Sequence, residues 1–128
     1  ARALAALDAS VAALKQALGP AWSDTVVAIV TEFGRTVAPN GNGGADHGTG
    51  AAAFLAGGAV AGGRVHADWP GLAQRALHEG RDLRPTTDLR AVLKGVLAAH
   101  WRLPNRILAT SVFPDSGGVA AIEGLVRA

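Results

Sequence analysis

Four polar residues gathered around one glycine-rich stretch have the types needed for chemistry on an anion: Glu32, Arg35, Asp46 and His47. Asp46 and His47 stand side by side within Asn40-Gly41-Asn42-Gly43-Gly44-Ala45-Asp46-His47-Gly48-Thr49-Gly50. A carboxylate beside an imidazole is a donor pair that metals preferring oxygen and nitrogen, such as zinc, use. Asp in a glycine loop also serves as a staple, its oxygens accepting hydrogen bonds within the turn. Neighbouring side chains diverge in extended backbone, so in the metal reading one of the pair ligates and the other orients it from behind. Spacing alone leaves both roles open. A nucleotide cradle fits less well, because no Lys-Ser or Lys-Thr pair closes the loop and Asp46 stands where a GxGxxG beginning at Gly41 requires glycine.

These residues need a frame. Val26 to Val30 are apolar without interruption, the pattern of a strand covered on both faces in a parallel sheet flanked by helices. Polar residues crowd its carboxyl end, where ligands bind in open α/β sheets. Ala51 to Gly58 reads as a second apolar, strand-like run. Leu4, Leu7, Val11, Leu14 and Leu18 share one face of a helix that Gly19-Pro20 stops, and that face is expected to cover the sheet. Leu89, Val92, Leu93, Val96 and Leu97 mark a later helix, capped by Thr86 or Thr87, with Asp88 in its first turn and His100 near its negative end. Arg64-Val65-His66 reads as a short strand with His66 in solvent, Trp69 to Leu77 as a short helix ending at Gly80, Ile107-Leu108 as the start of another, and Ala120 to Val126 as a final turn or two. The fold class expected is α/β, with a mostly parallel sheet and flanking helices, as a single segment over residues 1–128.

Composition narrows the functions. The pI near 9.9 suggests nucleic acid, yet the net charge is only +2. The bases are mostly Arg scattered among acids, with no aromatic residues interleaved, so the electrostatic footprint of nucleic-acid binding is missing. Without cysteine there is no disulfide, thiolate zinc site or cysteine nucleophile in this stretch. No apolar run is long enough for a membrane span. The chain has no Met and opens in mid-pattern, Ala1-Arg2-Ala3-Leu4, so it reads as part of a longer protein. Such a piece would leave open sheet edges and is expected to self-associate when alone.

Thr31-Glu32-Phe33-Gly34-Arg35-Thr36, Asn40 to Gly48, Gly62-Gly63-Arg64-Val65, Trp69-Pro70-Gly71-Leu72, Gly80-Arg81-Asp82-Leu83 and Thr86-Thr87-Asp88-Leu89-Arg90 carry a resemblance in order along the chain. They resemble the carboxyl-terminal part of bacterial proteins in the family called domain of unknown function fifteen-oh-one. That family is similar, distantly, to the alkaline phosphatase and sulfatase superfamily, and its members are often exported by the twin-arginine route. The resemblance implies a fragment of an alkaline-phosphatase-like fold and a periplasmic or exported location. In the superfamily a later His-Gly supplies a metal ligand, and His47-Gly48 resembles it. An earlier Asp-His-Gly supplies two more, where this chain has Glu32-Phe33-Gly34, and Phe33 has no ligating atom.

Two function classes follow. In the first, a metal-dependent hydrolase of sulfate or phosphate esters, Asp46, His47 and Glu32 hold a divalent ion such as zinc or calcium, while Arg35 or Arg64 holds the anionic group. The nucleophile would then lie upstream. In the second, a non-catalytic exported module binds a partner or an envelope glycan.

Overall fold

The computed structural model describes residues 2–127. Helix α1, Arg2–Leu18, is rich in the helix formers Ala and Leu and ends at Gly19, which takes the left-handed conformation (φ +52°) before Pro20. The periodic stripe is present, but no residue of α1 is buried, and Leu4 and Leu14 face solvent. It does not cover a sheet as expected. A 3-10 turn over Gly19–Asp24 leads to strand β1, Val27–Ile29.

The parallel-sheet expectation is overturned. β1 pairs antiparallel with β4, Phe54–Ala56, placing Val27 opposite Ala56 and Ile29 opposite Phe54. Between them, β2 (Gly34–Arg35) pairs antiparallel with β3 (His47–Gly48), Arg35 opposite His47. The two registers differ by a single residue, so all four strands form one interrupted ribbon whose tip is closed by Asn40 N–H on Gly44 O at 2.8 Å. The physical reason lies in the connection. A parallel pair needs a long crossover, usually a helix, whereas the glycine-rich residues 30–53 contain no helix and turn the chain directly back. Apolar continuity in Val26 to Val30 reflects partial burial rather than a doubly covered strand: Val27 and Ile29 are half-buried, Ala28 and Val30 exposed. The architecture is therefore helix-rich with two short antiparallel pairs, and neither the α/β class nor the alkaline-phosphatase-like sheet describes it.

A third segment runs beside the ribbon. Val37 N–H donates to Arg81 O at 3.1 Å and Gly50 N–H to Leu83 O at 2.9 Å, so residues 81–83 pair with both arms. They are delivered by a tight turn at His78 to Asp82, in which Glu79 (φ 50°) and Gly80 (φ 65°) adopt left-handed backbone. The helix expected from Trp69 to Leu77 is only a 3-10 turn at Gln74–Ala76, and Arg64 to His66 is exposed coil.

Helix α2, Leu89–Trp101, is capped by Asp88 itself, not Thr86 or Thr87; its carboxylate accepts from Arg90 N–H at 2.8 Å. Such a cap contributes about 1 kcal/mol. A short turn α3, Asn105–Ile107, continues into a wide helical turn through Val112. Residues 116–126 then form an extended strap over α2 instead of the expected helical turns. Ile122 N–H donates to Ala91 O at 3.0 Å, and buried Lys94 donates from Nζ to Ser116 O and Val119 O. The strap returns to the ribbon, with Ala61 N–H on Leu125 O and Arg127 N–H on Ala59 O. The core sits at this junction: Val96, Leu125 and Val126, with Val26, Leu55, Val92 and Ile122 packed around them. Each side chain fully buried there contributes roughly 1.5–3 kcal/mol. Among the described residues no helix is long and apolar enough to cross a membrane.

Candidate functional site

Strand alternation decides which of the candidate side chains meet. Arg35 and His47 face one another across the β2–β3 pair, and Phe33, two residues before Arg35, lies on the same side. The Phe33 and His47 rings stack with centroids 4.0 Å apart and planes inclined by 29°. The Arg35 guanidinium stands 5.8 Å from the Phe33 centroid, and its Nη1 donates to Ala45 O at 3.1 Å. Phe33, which has no place in a metal centre, is thus the residue that holds the imidazole.

Asp46 follows a different path. Its Oδ1 accepts from Asn40 Nδ2 at 2.9 Å, while its backbone N–H donates to Thr36 Oγ1 at 3.1 Å. This is the stapling role. As a strand neighbour of His47, it projects from the opposite face. Glu32 is exposed in the bend between β1 and β2, and Arg64 is exposed in the coil after Gly63. Among the described residues no three or more of His, Asp and Glu gather where they could share a metal ion. The donor set Glu32, Asp46 and His47 does not fit a divalent ion in this arrangement, and Arg64 does not join Arg35. His66 is likewise exposed and takes no part.

What the arrangement does form is an open groove of about 500 Å³. Phe33, Arg35, Trp69 and Leu72 supply its side-chain walls; Gly34, Gly50 and Leu83 lie along the floor. The glycines of the sequence motif have a packing role here. A Cβ on Gly34 would lie 1.7 Å from Gly50 O, and one on Gly50 would lie 2.5 Å from Leu83 O. Three backbone segments therefore approach closely under the groove, as only glycine permits.

Asp82, singled out by no spacing rule, anchors the floor. It is 3% exposed, and its Oδ2 accepts from Thr49 Oγ1 at 2.9 Å and from Arg81 Nη2 at 3.2 Å. Arg81 Nε lies 2.7 Å from Oδ1, an ion pair whose approach is off the line of a hydrogen bond. The Arg81 guanidinium, helped by Thr49, holds the Asp82 carboxyl below the usual range, against the opposing effect of burial. The same logic applies at Asp88 beside Arg90. A carboxyl whose folded pKa lies below its unfolded value adds stability that is present above the unfolded value, about 3.9, and disappears as pH falls through the folded one. Thermal midpoints should accordingly hold level from pH 7 to about pH 5 and fall below about pH 4. Asp82→Asn should lower the midpoint at pH 7 and flatten the acid limb; an unchanged acid limb would show that Asp82 is not its source.

The family described as "Protein of unknown function (DUF1501)" matches residues 1–112, most of the chain, and the chain belongs to that family. Comparison with curated proteins and with solved structures found no match. The resemblance read from the Thr31 to Arg90 motifs is thereby borne out at the level of the family. The more distant likeness to sulfatases receives no support from these comparisons.

Proposed function

We propose that this family member is an exported binding module whose groove takes an acidic saccharide, one bearing a carboxylate or a sulfate. The observation that carries the reading is Trp69, 61% exposed on a groove wall with Arg35 as the basic side chain of the same lining. An exposed indole offers a flat apolar platform for the C–H face of a sugar ring. A guanidinium fork matches a planar or tetrahedral oxyanion, and a groove of this volume suits a ligand of one or two rings. Phe33, holding His47 on one side and Arg35 near its ring, keeps the basic side of the groove in place.

Titration calorimetry with sulfated, uronic and neutral oligosaccharides tests the reading. Acidic ligands should bind, and Trp69→Ala should weaken them roughly tenfold to a hundredfold, as for an aromatic anchor at the centre of a contact. Arg35→Ala should remove the preference for acidic over neutral sugars. Equal binding of both classes by the unaltered chain, or indifference to Trp69→Ala, would sink the proposal. Aryl sulfate and aryl phosphate, with zinc or calcium added, make the parallel assay. Turnover lost together with bound metal in His47→Ala would replace the binding module by the hydrolase built on Glu32, Asp46 and His47.

A further inference from the structure

The ribbon tip carries two Asn-Gly pairs, Asn40-Gly41 and Asn42-Gly43, which play no part in the groove. Asn followed by Gly is the dipeptide most open to spontaneous loss of the side-chain amide, because the next residue has no Cβ to hinder attack by its nitrogen. The structure treats the two pairs differently. The Asn40 carboxamide is held at both ends: Oδ1 accepts from Asn42 N–H at 3.1 Å and Gly44 N–H at 3.0 Å, and Nδ2 donates to Asp46 Oδ1 at 2.9 Å. Asn42 is exposed and contributes only its backbone N–H to this network.

We infer that Asn42 is a site of spontaneous deamidation in the folded protein and that Asn40, though followed by the same residue, is protected by its staple. In the step, base removes the Gly43 amide proton and that nitrogen attacks Asn42 Cγ. A carbon–nitrogen bond closes a five-membered succinimide as the side-chain nitrogen leaves as ammonia. Water then opens either ring carbonyl, leaving an aspartyl or an isoaspartyl residue at position 42. The overall change is uptake of one water and release of one ammonia, with no oxidant or cofactor. The attacking nitrogen must first release its bond to Asn40 O, 3.0 Å long, whereas attack at Asn40 Cγ requires three side-chain bonds to break. Nothing crowds a Cβ position at Gly41 or Gly43, so the hydrogen bonds, and not steric access, separate the two sites.

The test is incubation of the full chain at mildly alkaline pH, followed by peptide mapping that resolves aspartyl from isoaspartyl products at each position. In the folded chain Asn42 should react at least about tenfold faster than Asn40, because three bonds must break at Asn40 against one at Asn42 and a difference of two net hydrogen bonds exceeds that factor. In strong urea the two rates should converge, because both are then free Asn-Gly pairs. Asp46→Ala, which removes one acceptor from the staple, should raise the Asn40 rate in the folded chain. Equal rates in the folded chain, a faster Asn40, or a ratio that survives urea unchanged would each overturn the assignment.

Discussion

Gly34→Ala should abolish the folded ribbon under conditions where the unaltered chain is fully native. The added methyl would sit 1.7 Å from Gly50 O and 2.4 Å from Gly50 C, both backbone atoms with no rotamer by which to retreat. Relief requires β2 and the Gly50 segment to separate, and that movement breaks Gly50 N–H from Leu83 O and frees the arm that carries Thr49 onto Asp82. Overpacking in close-packed interiors costs about 1–3 kcal/mol where neighbours can shift, and more where they cannot. Here the loss is expected at or above about 3 kcal/mol, a large share of a small domain's stability. Urea denaturation followed by far-ultraviolet circular dichroism measures it, with Gly41→Ala as the comparison. Gly41 has open space around it, so its change should stay within about 0.5 kcal/mol. Coincident transitions for the Gly34→Ala and unaltered chains would mean that the ribbon does not close as described.

How much of this was legible beforehand depends on whether the signal was local. α1 and α2 fall where periodicity and the Gly19-Pro20 stop placed them, since hydrophobic spacing and helix termination are properties of a few neighbouring residues. β1 and β4 also lie within the apolar runs that suggested them. Their direction was misread because strand periodicity carries no polarity. The helix-free residues 30–53 hold that information, and glycines among them serve close backbone packing, Gly34 against Gly50 and Gly48 against Arg35. At the site, Arg35 and His47 were legible as neighbours of one loop, and the divergence of Asp46 from His47 as a property of extended backbone, whereas the stacking of Phe33 on His47 depends on how β2 pairs with β3.

Asp82 was beyond the reach of spacing altogether. Its partner Thr49 lies 33 residues away, and a buried carboxylate is defined by a tertiary approach that no local pattern encodes. The strap over α2 poses the same problem. Residues 116–126 lie beyond the stretch matched by the family, carry little periodicity, and nevertheless supply Leu125 and Val126 to the core. Their course depends on Lys94, whose ammonium finds backbone carbonyls in place of a carboxylate.

The strap makes the sign of one substitution opposite to what helix propensity demands. Gly95 lies in the interior of α2, where Gly costs about 1 kcal/mol relative to Ala, so Gly95→Ala read from sequence is a stabilising change. In the structure a Cβ there would lie 2.0 Å from Ile122 O, 3.0 Å from Ile122 C and 3.2 Å from Leu125 Cδ1. The first two atoms are backbone of the strap, fixed by Ile122 N–H on Ala91 O one turn earlier and by the Lys94 bonds beside it. The strap must lift, and lifting it exposes Leu125 and Val126 and strips Lys94 of its acceptors. Loss of that packing outweighs the propensity gain, and Gly95→Ala should lower stability by about 2–3 kcal/mol. Ala99→Gly, at an exposed position of the same helix, isolates the propensity effect and should cost about 1 kcal/mol. Urea midpoints of the two variants decide between the effects: if Gly95→Ala raises the midpoint while Ala99→Gly lowers it, propensity governs both positions and the strap does not press on α2.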